Sequence, residues 1–561
     1  MKRLLRPLLF LAAIGLLGFF LTIAVGPDPE AVDLLPTETL ALVAWENPAR
    51  AWETWRASAI GRKVNDPNLA GMVRQLGGDD VLVAGSRTLP ALLDRFAKAA
   101  FSGRIFTGKA AVALLPPRDR QALTMATLGS HLVVIVPEAA DLPLPAQLEG
   151  LFGPVQSTAT ELYRGVPLVT LTFQSGQALT FCRYCSLLIC ALDRNPVERC
   201  LDQALARRGL ARTGLRANQA YQQLADQAAG QADFFFYAHA AALWPLLPAL
   251  PVAQDAEPGL LPHHLAVIHR ATAQGDRLTI IAQVAEESLT AFTARHQLAP
   301  PMADPVGQQY LADTQIHLWT NWFKVKTLWD LGLQMRDHEA GMLLSLLLQR
   351  VIDGTGATGE EFFDVFGAGF GVFITAPQRP GQAADQTLSC LYVEVRNQGE
   401  VEAMLKRLLR GLQVITVVTG GTEIRSVNMA GGLLQPAFAF MDGHLIVADS
   451  VVLIEELQRQ GGIAQTDGPA KPAMMDRAGN LLVFARSKEV GKRLTALLAV
   501  LLRETADQEK VLSSETRLLL EHGLLPVLKD LQRVETVDLR GSVSGEEMTL
   551  EMDFTNGRDG R

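Results

Sequence analysis

The sequence lacks the motifs by which many enzymes are recognised. Its 561 residues contain no G-x-S-x-G nucleophile elbow, no H-E-x-x-H helix, no Walker A loop and no EF-hand loop. Aromatic residues make up 6% of the chain, cysteine occurs five times, and the net charge of −8 comes without long acidic or basic runs. These features exclude the electrostatic footprint of a nucleic-acid-binding protein. We therefore predict no catalytic residues, no cofactor, no metal site and no nucleic-acid partner.

Only one stretch is apolar enough to cross a membrane. Residues 8–26 are nineteen residues without a charge, enough for a helix to span a hydrocarbon core of about 30 Å. Basic residues precede this run and acidic residues follow it, which places the N-terminus in the cytoplasm. We predict a cytoplasmic stub at 1–7, a single-pass inner-membrane anchor at 8–26, a linker at 27–34 and a periplasmic remainder. A cleaved signal peptide is the alternative, and it also exports the bulk of the chain.

The chain is similar to itself. LLPTETLALVAWENPARAWETW (34–55) and YLADTQIHLWTNWFKVKTLW (310–329) match Trp45 with Trp319 and Trp55 with Trp329 at an offset of 274. Further matches keep the same order, among them FTGKAAVALL with FGAGFGVFIT and QALTFCRYCSLLICA with QPAFAFMDGHLIVAD. Short strands and hairpins alternate with helices in both halves. We therefore predict an α+β fold of two tandemly duplicated halves, 35–300 and 305–561, each a largely antiparallel sheet with packed helices.

The order of these segments also resembles a known family. LPTETLALVAW, ATGEEFFDVFGAGFGVFIT, LYVEVRNQGEVEAMLKRLL and FAFMDGHLIVADSVVLIEEL are similar to segments of bacterial exported proteins of unknown function, which carry one N-terminal anchor or signal and repeated α+β modules. The resemblance covers most of the chain after residue 34. It implies an envelope location and supplies no catalytic residues.

Four of the five cysteines lie within nineteen residues, at Cys182, Cys185, Cys190 and Cys200. In an oxidising periplasm nearby cysteines are expected to pair. We predict disulfides Cys182–Cys185 and Cys190–Cys200, or buried thiols. A redox couple and a metal site are the alternatives, although a hairpin tip does not lower a thiol pKa as a helix N-terminus does.

The second half indicates how the cysteine hairpin is built. There, Asp442–Gly443 is a strong two-residue turn signal. Alignment on that turn predicts a turn at Tyr184–Cys185, with Cys182 opposite Leu187. Cys182 and Cys190 then face opposite sides of the sheet, which disfavours a four-thiolate zinc site on one face.

Three further sequence patterns each have a structural and a functional interpretation. A G-x-G-x-x-G at 354–359 follows a predicted helix and precedes acidic residues, so a flexible loop is favoured over a nucleotide site. The histidines of HHLAVIH (263–269) lack a complete ligand set for zinc. The matched tryptophans Trp45, Trp55, Trp319 and Trp329 are candidate groove aromatics, but their recurrence in both halves favours structural packing.

These observations favour a non-enzymatic, membrane-anchored periplasmic protein that acts as a binding or scaffolding module of the cell envelope. Its high aliphatic content is consistent with an apolar groove presented to a lipid or to a partner protein. Two alternatives remain open, an extracytoplasmic enzyme with a site that follows no motif and an assembly factor of an envelope complex.

Overall fold

The structure is a computed structural model of the chain. Apart from isolated positions, it describes residues 30–47, 109–118, 125–137, 152–206, 214–228, 232–243, 262–287, 299–306, 314–322, 324–334, 339–375, 388–429, 435–460, 478–504 and 519–556. The predicted anchor at 8–26 and Trp55 lie outside these residues. Among the helices that the structure describes, none is long and apolar enough to cross a membrane.

The chain divides into two compact units. The first comprises Met1–Ala271 and Thr505–Val527, and the second comprises Thr272–Glu504 and Leu528–Arg561. Both are largely antiparallel sheet with packed helices, so the predicted α+β class is confirmed.

Nine described strands form the sheet of the first unit. They are β1 (Ala41–Trp45), β2 (Ala110–Leu114), β3 (Leu132–Pro137), β4 (Val155–Tyr163), β5 (Val166–Phe173), β6 (Ala178–Tyr184), β7 (Leu187–Ala191), β8 (Phe234–Ala238) and β9 (His264–Ala271). All pairs are antiparallel, in the order β4-β5-β6-β7-β3-β2-β1-β8-β9. The helices are α1 (Ala31–Leu34), α2 (Met125–Leu128), α3 (Arg194–Ala206), α4 (Gln219–Ala228) and α5 (Ala240–Leu243).

The second unit repeats this strand order. Its strands are β10 (Gly275–Gln283), β11 (Thr314–Thr320), β12 (Phe366–Thr375), β13 (Leu388–Val395), β14 (Gln413–Thr419), β15 (Thr422–Asn428), β16 (Ala437–Met441), β17 (His444–Ala448), β18 (Leu481–Ala485), β19 (Val534–Ser544) and β20 (Glu547–Asn556). They pair as β14-β15-β16-β17-β13-β12-β11-β18-β19-β20-β10. Strands β11 to β19 thus follow the same pairing order as β1 to β9.

The remaining helices lie mostly between the strands of the second unit. They are α6 (Val325–Gln334), α7 (Glu339–Thr355), α8 (Gly359–Asp364), α9 (Gln398–Leu408), α10 (Val451–Gln460), α11 (Ser487–Glu504) and α12 (Leu525–Leu531). Helix α8 begins at a capping box, because Thr358 accepts a hydrogen bond from the backbone of Glu361 and donates its own backbone N–H to the Glu361 carboxylate.

The cores lie where helices cover these sheets. In the first unit α3 packs on β3, β6 and β7, while α4 packs on β8 and β9. The sheet side chains beneath these helices are buried, among them Leu42, Ile135 and Tyr237 at 0% exposure. In the second unit α10 covers β15, β16 and β17. Burial of each such large apolar side chain stabilises the fold by about 1.5–3 kcal/mol.

The turn between β6 and β7 differs by one residue from the predicted position. Tyr184 pairs with Leu187, so the turn is Cys185–Ser186, and Cys182 lies opposite Ile189 instead of Leu187. The residue with a positive φ of 53° is Cys185, which corresponds to Asp442 at 48° in the turn of β16 and β17. The sequence alignment equates Cys185 with Gly443, so the predicted turn is wrong by one residue.

Candidate ligand-binding site

The first unit contains a cavity of about 810 Å³ between its sheet and the helices α1 and α4. Seven of its eighteen lining residues are alanine, which leaves space because the methyl group is short. Larger apolar side chains form the walls, including Val32, Leu187 and Phe235. This volume lies within the range of ~300–1,000 Å³ that is typical of sites for small ligands.

The strand register directs one set of these side chains to a common face. Ala44 on β1 lies opposite Ala111 on β2 and opposite Phe235 on β8. Directly opposed residues of an antiparallel sheet point to the same side, so these three form the floor of the cavity. Trp45 is the last residue of β1 and lines the cavity at its end, with its ring 5.8 Å from that of Phe234.

The second unit has large side chains at the equivalent place. Ile189 and Ile446 each lie four residues beyond the first turn residue of their hairpins, Cys185 and Asp442. The cross-strand pairings that lead from Ile189 and Ile446 across each sheet define the other equivalent positions. Ile135 corresponds to Tyr392, Ala111 to Gly371, Ala44 to Trp319 and Phe235 to Leu482.

This equivalence changes the match of the tryptophans. The strand pairings give Ala44 as the counterpart of Trp319, so Trp45 and Trp319 lie on opposite faces of their sheets. Trp319 is 1% exposed and packs with Tyr392 in a buried core cluster of the second unit. The cavity therefore occupies the position that an indole ring fills in the other unit.

The wall formed by α1 is fixed by ionic contacts. Arg216, in the turn before α4, donates from Nε to Asp33 Oδ1 at 3.1 Å and also pairs with Glu30. The Glu30 backbone N–H donates to Asp33 Oδ2 at 3.0 Å. Gly214 permits this close approach, because it has a φ of 60° and an added Cβ would lie 2.4 Å from the Leu35 carbonyl oxygen.

The wall formed by α4 is aromatic and uncharged. The ring of Tyr221 meets Phe235 and Tyr237 edge-on, with centroid distances of 6.0 and 5.2 Å. Burial raises the pKa of the Tyr221 phenol to about 12. The phenol therefore stays neutral at physiological pH and adds a mostly apolar surface.

Charged side chains surround the opening. Lys109 and Glu46 form an ion pair at 3.1 Å and are 71% and 50% exposed. Asp233 and Glu30 also contribute to the lining and are exposed. An apolar interior with a polar rim is suited to binding an apolar molecule with a polar end. The lining contains no histidine or cysteine that would serve as a base or nucleophile.

The predicted cysteine group is divided between two environments. Cys182 and Cys190 face opposite sides of the sheet, as predicted, and burial raises the pKa of each to about 12. Cys200 on α3 is fully buried, and burial also raises its pKa. Cys185 lies exposed in the turn. The structure contains no disulfide between the five cysteines, all of which it describes, and the two disulfides stay a prediction.

The other candidate groups have structural neighbours. Trp329 packs against Phe363 with a centroid distance of 6.3 Å in the second unit. The Nδ1 atom of His264 shares a hydrogen bond with the Tyr237 hydroxyl at 3.1 Å. The His264 ring stacks on the ring of His239 with a centroid distance of 4.6 Å. Burial lowers the pKa of His264 to about 4. Within the described part of the chain, no cluster of three metal-ligating side chains occurs.

Sequence reasoning missed a buried polar network in the second unit. The Tyr392 hydroxyl lies 2.7 Å from Asp304 Oδ2 and 2.8 Å from His317 Nε2. His317 Nε2 also lies 2.8 Å from Asp304 Oδ2, and all three side chains are buried. In the sequence, His317 and Tyr392 belong to the alternating polar and apolar residues of β11 and β13, and Asp304 is an isolated acidic residue before them. This pattern gives no signal for a hydrogen-bonded network. Its burial indicates a structural role.

Comparison with known proteins adds little. No family model matches the chain, and no curated protein matches it. Crystal forms I and III of TP0453 share 7% and 8% sequence identity with it, with TM-scores of 0.24 and 0.25. The matched region is 48% of this chain in both comparisons, and it is 87% and 88% of the TP0453 chains in forms I and III. This likeness is too weak to support an argument about fold or function.

Proposed function

We propose that the protein is a membrane-anchored periplasmic binding protein of the cell envelope that holds an apolar ligand, such as a lipid chain, in the cavity of its first unit. The observation that carries this proposal is the contrast between Ala44 and Trp319. At this position of two sheets with the same strand order, the small side chain of Ala44 leaves an open cavity in the first unit, and the indole ring of Trp319 fills the space in the second unit. A concave site of this volume, open to solvent at a charged rim and lined by alanine and larger apolar side chains, has the form of a small-ligand site, which supports a ligand that occupies it.

Two further parts of the proposal rest on the sequence. We infer that the two units are copies of one duplicated module, which their common strand order and matched segments support. The charge asymmetry around residues 8–26 supports an inner-membrane anchor. In this proposal the second copy has a closed core and serves as a scaffold, while the first copy binds.

The substitution Ala44→Trp tests the binding site. It places in the first unit the side chain that already fills the equivalent position in the second, so we expect a folded chain with an occupied cavity. The full-length chain, transferred from detergent to an amphipathic polymer, is titrated with a dansyl-labelled fatty acid. One saturable site is expected in the native chain, with affinity reduced at least tenfold in Ala44→Trp.

The matched control is Trp319→Ala, which alters the second core and leaves the cavity unchanged. It should retain the saturable site of the native chain, with any additional binding assigned to the space opened in the second core, provided that circular dichroism shows a folded chain. Lipid bound around the predicted anchor is common to all three chains and cancels in the comparison. Equal saturable binding by the native and Ala44→Trp chains, or no saturable binding at all, would contradict the proposal.

A further inference from the structure

The two units differ at one edge of their sheets. Among the described strands, β4 and β14 each pair with only one neighbour, β5 and β15 respectively. Both are joined to that neighbour by a two-residue turn with positive φ values, Arg164–Gly165 and Gly420–Gly421. They therefore occupy the same place in the two strand orders, and each exposes one row of backbone groups.

The β4 edge is polar and carries a charge. Its central side chains are polar, and Glu161 forms an ion pair with Arg194 of α3. Charged side chains of this kind are a common means by which edge strands avoid pairing with other chains. Leu162 is exposed, but it stands next to the turn.

The β14 edge lacks this protection. Its sequence, QVITVVT, contains no charge and no proline, and four of its seven residues are valine or isoleucine. Val414, Ile415 and Val418 are 39%, 48% and 70% exposed. A long, uncharged, β-branched edge is unusual in a protein that stays monomeric, because it is a template for adding a further strand.

The sequence of β14 is complementary to itself in the antiparallel direction. When two copies are centred on Thr416, threonine lies opposite threonine, Ile415 lies opposite Val417, and Val414 lies opposite Val418. Each of these is a favourable cross-strand pair, and no like charges meet. A two-fold axis through Thr416 gives an isologous contact, which closes at two copies and does not propagate.

We propose that β14 pairs antiparallel with β14 of a second copy of this chain and forms a homodimer about Thr416. The occupant is a second copy because the strand complements its own sequence along its whole length. This proposal concerns the second unit alone and does not depend on the cavity of the first.

A charge exchange at Thr416 tests the proposal. The side chain is exposed, so Thr416→Lys and Thr416→Glu should both fold. In the homodimer each substitution places two like charges opposite each other across the axis. Light scattering of the full-length chain in an amphipathic polymer should give a dimer for the native protein and a monomer for each variant. An equimolar mixture of the two variants should restore the dimer, because lysine then meets glutamate.

Thr416→Cys provides a second measurement in membranes containing the full-length chain. Cysteines directly opposite in an antiparallel pair lie at a distance suited to a disulfide. In a Cys185→Ser background, oxidation should give at least tenfold more dimer for Thr416→Cys than for Thr160→Cys, the equivalent exposed position on β4.

A native monomer, a failure of the mixed variants to associate, or equal crosslinking at both positions would overturn the proposal. A crosslinked product with the mass of another protein would also overturn it, since the occupant would then be a different chain.

Discussion

The Tyr392 hydroxyl contacts both other side chains of the buried network of the second unit. It lies between Asp304 and His317, and the Asp304 carboxylate also accepts a hydrogen bond from the backbone of Val306 at 2.9 Å. Burial and the neighbouring Asp304 both raise the pKa of Tyr392, so the phenol remains protonated. Gly371 makes the arrangement possible, because an added Cβ would lie 2.2 Å from the Tyr392 ring.

Loss of that hydroxyl should destabilise the second unit. Tyr392→Phe leaves a buried carboxylate with one hydrogen bond fewer, and we expect the free energy of unfolding to fall by about 1–3 kcal/mol. Urea unfolding of the full-length chain measures this change. Tyr163→Phe is the control, since its hydrogen bond to Asp202 lies at a more exposed site and should be worth less than about 1 kcal/mol. Equal losses in the two variants would contradict the network's role.

Trp319 should be among the most costly side chains to remove. It is almost fully buried in the core beneath α10, and replacement by alanine leaves a cavity there. We expect Trp319→Ala to lower the free energy of unfolding by about 3–5 kcal/mol. Urea unfolding monitored by circular dichroism tests this expectation. A loss below about 1 kcal/mol would show that the site collapses around the missing ring.

At the scale of elements, the hairpins could be predicted from the sequence and the cavity could not. Alternation and the Asp442–Gly443 signal define β16 and β17, which the structure contains. The cavity depends on whether alanine or tryptophan occupies one position of a strand. A shift of one residue exchanges the two faces of a strand, and the repeated tryptophans favoured the wrong register. Alanines inside a strand give no signal that would have corrected it.

The turn between β6 and β7 holds a residue poorly suited to its backbone. Cys185 has a φ of 53°, a region that glycine adopts at lower cost. We expect Cys185→Gly to raise the free energy of unfolding by about 1 kcal/mol, as measured by urea titration of the full-length chain. Ser186→Gly is the control, because its φ is not positive and glycine should bring no gain. A stability gain in Ser186→Gly alone would contradict the assigned turn.

At the scale of the whole molecule, the two units should respond to pH in opposite ways. His264 in the first unit has a pKa lowered to about 4, chiefly by burial. The unfolded chain therefore binds a proton that the folded chain does not between pH 6.5 and 4, and the first unit loses stability as the pH falls through this window. Asp538 in the second unit has a pKa raised to about 7 by burial and by Asp553. The second unit therefore loses stability as the pH rises from 4 to 7.

Calorimetry of the full-length chain between pH 4 and 7 measures this difference. We expect two transitions whose midpoints move in opposite directions with pH. His264→Phe should remove much of the acid sensitivity of one transition, and Asp538→Asn should flatten the other. Midpoints that move together, or variants that leave both slopes unchanged, would contradict the assignment.

The position of the first strand in each unit has a consequence for biosynthesis. Strand β1 lies between β2 and β8, and β8 follows it by nearly two hundred residues. At ribosomal rates of about 5–20 residues per second, β8 appears roughly 10–40 s after β1. Strand β11 of the second unit is likewise synthesised long before its partner strand β18. Each growing unit thus has a central apolar strand with one unpaired edge for far longer than a hairpin takes to form, so holding chaperones have two separate periods in which to engage the chain.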